Sequence, residues 1–144
     1  MIRSAQRKDV RSLFVLESQV FKKDDFALSL GSFYYHVKNN QLFVYEDNSK
    51  IIGYILWLKR KGSFRLYSLC IDSVYRRQSI GEKLLAFSLK FLGSSKYTLE
   101  VKTTNIAAIK LYEKYDFKIQ KKLVNFYNDA DGYLMVKRTS SLEV

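Results

Sequence analysis

The sequence predicts an α/β fold, a central mixed sheet of about seven strands with helices on both faces. Three observations predict it. Strand-like and helix-like segments follow one another in the order β-α-α-β-β-β-α-β-α-β-β. The middle strands connect through helices, which requires parallel neighbours, whereas short turns join strands near either end, which requires antiparallel ones. The 144 residues, 47% hydrophobic and 15% aromatic, suit one domain, 1–144, around a single core, and are far too apolar for a disordered chain.

The elements read in order as follows. "MIRSA" is a short first strand. "KDVRSLFVLESQVF" spaces Val10, Leu13, Phe14 and Val20 as a helix does, with Asp9 as its cap. "FALSLGSFYYHVKN" is a weaker second helix interrupted by Gly31. "QLFVYED" and "KIIGYILWLKR" flank "NS" as a hairpin. "SFRLYSLCID" has little polarity from Leu66 to Ile71 and belongs in the middle of the sheet, ending at Asp72. "GEKLLAFSLKFL" puts Leu84, Leu85, Ser88, Phe91 and Leu92 on one helical face. "YTLEVKT" alternates as a strand. "NIAAIKLYEKYDF" is a helix capped by Asn105 with a stripe of Ala108, Leu111, Tyr112 and Tyr115. "KIQKKLVNFY" and "GYLMVKR" close the sheet, and "TSSLEV" is a frayed tail.

Composition excludes several classes. No apolar run is long enough to cross a membrane, and "MIRSAQRKDV" lacks the apolar segment of a secretory signal. One cysteine, Cys70, excludes an internal disulfide, and with the single His36 it argues against a metal site. A cytoplasmic enzyme or binding domain is what remains. The 25 Lys and Arg against 14 Asp and Glu, a formal +11, attract polyanions: nucleic acid, phosphorylated cofactors or acidic lipid. Scattered solvated lysines give the same total, and charge alone does not choose between these readings.

"YRRQSIGEKLL", residues 75–85, concentrates the functional signal. A strand ends and a helix begins here, so unpaired amides and the positive end of a helix dipole face one spot. Phosphate fits such a spot; Gly81 allows close backbone approach and Arg76 and Arg77 add charge. An ordinary strand-to-helix turn with solvated arginines has the same residues, and the stretch alone does not separate the two.

The stretch resembles motif A of the Gcn5-related N-acetyltransferases (GNAT), Q/R-x-x-G-x-G/A, with Arg76 first, Ser79 in place of the first glycine and Gly81 last. "LEVKTTNIAAIKLYEKYDF" resembles the second signature of that family through Leu99, Val101, Asn105, Ala108, Leu111, Tyr112 and Phe117. The order of elements agrees over nearly the whole chain. Within the family the likeness is to the ribosomal-protein-alanine N-acetyltransferases (the RimI group), through "LEVK", "NIAAIKLY" and, more loosely, Phe126, Tyr127 and Met135. Asp116 stands where a glycine is usual, at a left-handed helix end, and Glu82 stands where basic or small residues are usual.

The resemblance implies a GNAT acyl-CoA fold in which "RLYSLCI" and "YTLEVKT" part to admit acetyl-CoA as cosubstrate. Backbone groups of Leu69, Cys70 and Ile71 would line the pantetheine arm. Arg76, Arg77, Gln78, Ser79, Ile80, Gly81 and Glu82 would surround the pyrophosphate, and Asn105 would contact the cofactor arm. The reaction implied is direct transfer to an amine. Glu100 would take the ammonium proton, burial bringing its proton affinity toward neutrality, and Tyr112 would protonate the departing thiolate. The Ile71 N–H would hold the oxyanion.

Other roles compete for these residues. Glu100 also suits an exposed carboxylate paired with Lys102, and Tyr112 a core aromatic. Cys70 reads as a small buried side chain rather than a nucleophile, for want of a histidine partner. His36 reads as packing or as substrate-side surface, and Trp57 as sheet core or rim. No metal is expected.

The implied acceptor is a protein N-terminal amine, of a ribosomal protein in the RimI group. The alternative acceptor is a small amine such as a polyamine or aminoglycoside, recognised by acids among Asp24, Asp25, Glu46, Asp47, Asp129 and Asp131. A third reading is a non-catalytic nucleic-acid module in which "FYYHVKNNQLF" stacks bases, although no specific nucleic-acid motif is present.

Overall fold

The computed structural model describes residues 1–21 and 28–139. Seven strands form one mixed sheet: β1 (Ile2–Ser4), β2 (Gln41–Asp47), β3 (Lys50–Arg60), β4 (Ser63–Ile71), β5 (Lys96–Lys102), β6 (Lys118–Leu123) and β7 (Gly132–Arg138), in the spatial order β1-β2-β3-β4-β5-β7-β6. The helices are α1 (Val10–Phe21), α2 (Leu30–Asn39), α3 (Ile80–Leu92) and α4 (Ile106–Lys114), with short 3₁₀ turns at Arg7–Asp9 and Ser73–Tyr75. As the sequence predicts, β4 and β5 are parallel, with Phe64 beside Tyr97 and Arg65 beside Thr98. The β2–β3 and β6–β7 pairs are antiparallel. No helix of the described residues is long and apolar enough to cross a membrane. The chain gathers into two compact units, Met1–Lys59 with Tyr67–Leu92, and Arg60–Leu66 with Gly93 onward.

In the first unit, alternation along β2 and β3 sends side chains to two faces. Leu42, Val44, Tyr54 and Leu56 pack with Val10, Leu13 and Leu16 of α1 and Phe33 of α2. Each fully buried large side chain contributes about 1.5–3 kcal/mol. On the opposite face Phe43 meets the rings of Phe87 and Phe91 of α3. The Trp57 indole N–H there donates to Ser88 Oγ at 2.8 Å. The Asn48–Ser49 turn has φ of 49° and 65°, the left-handed pair that a two-residue hairpin needs.

Two details of α1 differ from the sequence reading. Leu16 is buried and Phe14 is 37% exposed, because burial at Val10 and Leu13 leaves position 16 on the inner face. Asp9 lies inside the 3₁₀ turn rather than at the cap. Its carboxylate accepts the Gln6 N–H at 2.7 Å and pairs with Arg3 at 2.8 Å. Burial works to raise the Asp9 proton affinity, but these two partners win and hold it below the usual range.

Gly53 of β3 is where space demands glycine. A Cβ there would come within 2.9 Å of Ile71 Cδ1 and 3.1 Å of the Cys70 carbonyl oxygen. In α3 the buried residues are Ile80, Leu84, Leu85 and Ser88, whereas Phe91 is 58% exposed and only lies against Phe43 and Phe87.

In the second unit β7 lies between β5 and β6. Along β5, Tyr97, Leu99 and Val101 are buried and alternate with half-buried residues. Helix α4 is capped by Asn105, whose Oδ1 accepts the Ala108 N–H at 3.2 Å, and it buries Ile109 and Tyr112. Ala108, Leu111 and Tyr115 flank that stripe and are half-buried. Its C-terminus is a Schellman motif. Phe117 N–H donates to Tyr112 O and Asp116 N–H to Glu113 O, with Asp116 at φ 69°. The Phe117 and Tyr112 rings pack edge to face at 5.9 Å across the motif. Strand β6 stops at Leu123, short of the predicted Tyr127. Beyond Thr139, bonded to Ser94 and Ser95, the predicted frayed tail lies outside the described residues.

Candidate active site

The turn between β4 and α3 lies in the first unit. Asp72 ends the strand, donates its N–H to Ile52 O and caps the 3₁₀ turn by accepting the Val74 N–H at 3.0 Å. The chain then passes exposed Arg76, Arg77, Gln78 and Ser79 into α3. Arg77 and Ser79 have φ of 67° and 60°. Two non-glycine residues in the left-handed region cost about 1–3 kcal/mol each, and such conformations cluster at ligand-binding turns.

Ser79 thus adopts the conformation for which a glycine is the usual choice. Its carbonyl accepts the Lys83 N–H at 3.0 Å and starts the helix, so the amides of Ile80, Gly81 and Glu82 precede the first intrahelical bond. Glu82 lies in that first turn, where the dipole favours a carboxylate. A Cβ on Gly81 would rest at 3.7 Å on Leu69 and 3.8 Å on Ile71, ordinary contact. Internal packing does not require glycine there.

Leu69 and Ile71 are half-buried at the end of β4, and Cys70 between them is 1% exposed. Burial, with the nearby Glu17 charge, pushes the Cys70 thiol up to about 12. It is inert as a nucleophile at neutral pH. Beneath it, buried Glu17 accepts from the Leu28 N–H at 3.1 Å and from the Tyr54 hydroxyl, which lies 2.8 Å from Ser68 Oγ. His36 is half-buried, with Nδ1 2.9 Å from Asn40 Nδ2. The stretch "FYYHVKNNQLF" divides between α2 and β2; it buries Phe33, Leu42 and Phe43, leaves Tyr34 and His36 half-buried and exposes Tyr35.

Glu100, Asn105 and Tyr112 lie in the second unit. The Glu100 side chain is 12% exposed and is gripped by Arg65 through Nε at 2.8 Å and through Nη2. Its partner is therefore Arg65, not Lys102, which pairs with Asp129 at 2.9 Å. Tyr127, in the β6–β7 loop, is close enough to feel both groups. Burial and the Glu100 charge push its phenol up, and Arg65 pulls it down. Tyr112 is buried, and burial, then Tyr127, push its phenol up to about 12. It is a proton donor throughout the physiological range.

Sequence reasoning missed Arg65, gave Tyr127 no role and did not notice Gly132. A Cβ on Gly132 would come within 3.1 Å of the Tyr127 ring, so the glycine makes room for that side chain. The sequence signals were an arginine as the one charged residue of its strand and a glycine opening the last one.

The acids considered for a small cationic acceptor are occupied or dispersed. Glu46 pairs with Arg3, Asp129 with Lys102, and Asp131 with Lys122 and the Asn125 N–H. Asp47 ends β2 in the first unit, and Asp24 and Asp25 lie outside the described residues. A concavity of about 450 Å³ in the first unit, beside Arg11, Glu46, Lys50 and Asp72, includes none of the expected cofactor residues.

Residues 38–119, more than half the chain, match the acetyltransferase (GNAT) domain. An N-alpha-acetyltransferase of Sulfurisphaera tokodaii is 33% identical over 93% of this chain and 90% of its own. The [ribosomal protein bS18]-alanine N-acetyltransferase of Escherichia coli K12 is 26% identical over 91% of this chain and 89% of its own. The crystal structure of the Escherichia coli ribosomal-protein-S18-alanine N-acetyltransferase superposes with a TM-score of 0.85 at 25% identity, covering 97% of this chain and 94% of that one. The chain belongs to the GNAT acetyltransferases. It is an N-acetyltransferase of the family that uses acetyl-CoA, and its relatives include the RimI group and archaeal N-alpha-acetyltransferases.

Proposed function

We propose that this enzyme transfers the acetyl group of acetyl-CoA directly to the N-terminal α-amine of a protein, a ribosomal protein being the acceptor class. The observation that supports it is the polar cluster of the second unit: a part-buried carboxylate, Glu100, fixed by Arg65 beside Tyr127, with Tyr112 protonated nearby. Glu100 accepts the proton of the ammonium, directly or through one water, and frees the amine to attack the thioester carbon. Tyr112 gives its proton to the sulfur as the C–S bond breaks. The Ile71 N–H steadies the oxyanion, and the backbone of Leu69, Cys70 and Ile71 runs beside the pantetheine arm. The amides from Arg77 to Glu82 hold the pyrophosphate, Arg76 adds charge, and the free end of the Asn105 carboxamide meets the cofactor arm.

The names of the full-length relatives favour an α-amine acceptor. The pairing of Glu46, Asp129 and Asp131 with cations of this chain disfavours a polyamine or aminoglycoside. The test is acetylation of a panel of N-terminal peptides and small amines, with the modified atom located by mass spectrometry. Acetyl on the α-amine is expected. Transfer confined to lysine side chains or to small amines would overturn the reading.

A further inference from the structure

Against β4 in the first unit lies a chain of three hydrogen-bonded side chains that the proposed transfer does not use. Glu17 of α1 is 2% exposed and Tyr54 of β3 is fully buried. One Glu17 carboxylate oxygen accepts the Leu28 N–H and the other accepts the Tyr54 hydroxyl, so the single proton of the phenol is committed to the carboxylate. The Tyr54 oxygen lies 2.8 Å from Ser68 Oγ. With its proton committed, that oxygen can only accept, and Ser68 must donate. The chain therefore has one direction, Ser68 to Tyr54 to Glu17. The Ser68 hydrogen points inward, and the lone pairs of Oγ are left for an N–H donor. Ser68 is half-buried, and among the described residues its Oγ has no second hydrogen-bond partner.

The backbone aims this hydroxyl. Leu69 and Ile71 lie against Gly81 of α3, and Cys70 packs in the core beneath α1 and α2. Alternation would send Tyr67 to the α3 side with Leu69. Instead the Tyr67 ring lies 6.4 Å from the His36 ring of α2, while Ser68 meets Tyr54, whose ring packs edge to face on Phe33 of the same helix. Two successive residues of β4 thus turn to one face, as at a bulge, a device that re-aims side chains beside active sites.

We propose that Ser68 accepts a hydrogen bond from the incoming amine and holds it at the thioester, with Tyr54 and Glu17 as positioning residues that keep the serine in its accepting state. This rests on the proposed placement of acetyl-CoA, with pyrophosphate at the start of α3 and the arm running back along Ile71, Cys70 and Leu69. Ser68 is the next residue that the arm reaches. The cradle belongs to α3, whereas Ser68 turns to the α2 side, so it meets the reactant that the cradle does not tether. A primary amine keeps two N–H groups after losing its proton to the base. Ser68 takes one of them and leaves the nitrogen lone pair free to attack. No proton passes to Ser68.

The test is steady-state kinetics, with whichever amine of the peptide and small-amine panel is acetylated, beside calorimetric titration of acetyl-CoA. The proteins compared are the wild type, Ser68→Ala, Ser68→Thr and Tyr54→Phe, each checked for folding by its urea midpoint. Ser68→Ala is expected to lower kcat/KM for the amine about ten- to a hundredfold, as for one hydrogen bond to a charged or reacting group. Acetyl-CoA affinity should be unchanged. Ser68→Thr keeps the hydroxyl and should recover most of the rate. Tyr54→Phe lets the serine hydrogen turn outward and should lower kcat/KM with acetyl-CoA affinity intact. That variant also strips a donor from buried Glu17, so the two Ser68 variants decide the matter if it fails to fold. A wild-type kcat/KM for Ser68→Ala overturns the proposal, and so does Ser68→Thr as slow as Ser68→Ala. An equal loss of acetyl-CoA affinity also overturns it and gives Ser68 to the pantetheine arm. A folded Tyr54→Phe at the wild-type rate overturns the positioning role. Failure of the acceptor assignment shows instead in which atom is modified, so the two failures are distinguishable.

Discussion

Arg65 holds Glu100 in the resting protein, and the proposed reaction asks the same carboxylate to take an ammonium proton. Glutamine keeps the oxygen that Arg65 holds and loses the ability to accept a proton. Glu100→Gln should therefore lower kcat by about 10²–10⁴ while leaving acetyl-CoA affinity unchanged, as read by steady-state kinetics beside calorimetric titration. Tyr112→Phe keeps the ring against Phe117 and removes the donor, so thiol release should slow with little change in urea stability. A wild-type rate would reassign the phenol to packing. Glu100 and Tyr112 could be singled out in the sequence because both fall inside one signature of fixed spacing. Arg65 could not, since only the parallel register that sets it beside Thr98 brings it to Glu100. Gly132 was equally hidden, because its meaning depends on where the Tyr127 ring comes to rest.

At the scale of elements, the end of α4 shows a local rule met by an unusual residue. The left-handed position of the Schellman motif is occupied by Asp116 at φ 69°, with only a 3.9 Å contact to Lys137 to anchor its carboxylate. Asp116→Gly should stabilise the protein by about 1 kcal/mol, and Asp116→Val should destabilise it by more than that. Chemical denaturation separates the two. Asn105→Ala at the other end of α4 should cost about 1 kcal/mol through the missing cap. These boundaries were readable because capping chemistry is local. The bounds of β6 were not: Val124, Phe126 and Tyr127 are strand-favouring residues that carry the segment on to Tyr127, but Asn125 at φ 56° turns the chain and its amide bonds Asp131 instead of the ladder.

For the whole molecule, several buried acids share one direction. Burial first, with Glu17 adding to it, raises Tyr54 and Cys70, and burial raises Tyr97 and Tyr112. A group whose proton affinity is higher folded than unfolded stabilises the fold fully below its unfolded value and loses that contribution as pH rises through the folded one. Urea midpoints should be flat around neutrality and fall above about pH 9, where the unfolded thiol and then the phenols ionise. Tyr112 alone moves from 10.0 to about 12, so Tyr112→Phe should recover roughly 2–3 kcal/mol of the loss near pH 12. The parallel β4–β5 pair and the antiparallel pairs near either end were legible from connection type. The insertion of β7 between β5 and β6 did not follow from it, because an adjacent hairpin fixes which strands pair and not which of them meets the rest of the sheet.

The indole of Trp57 is fully enclosed and its N–H is spent on Ser88 of α3. Since the chain has one tryptophan, ultraviolet emission reports on a single spot, the seat of α3 on β3. The native spectrum should be blue-shifted, and its red shift on unfolding dates the undocking of the helix whose first turn we propose as the anion cradle. A stopped-flow trace at that wavelength would time the event with no dye attached.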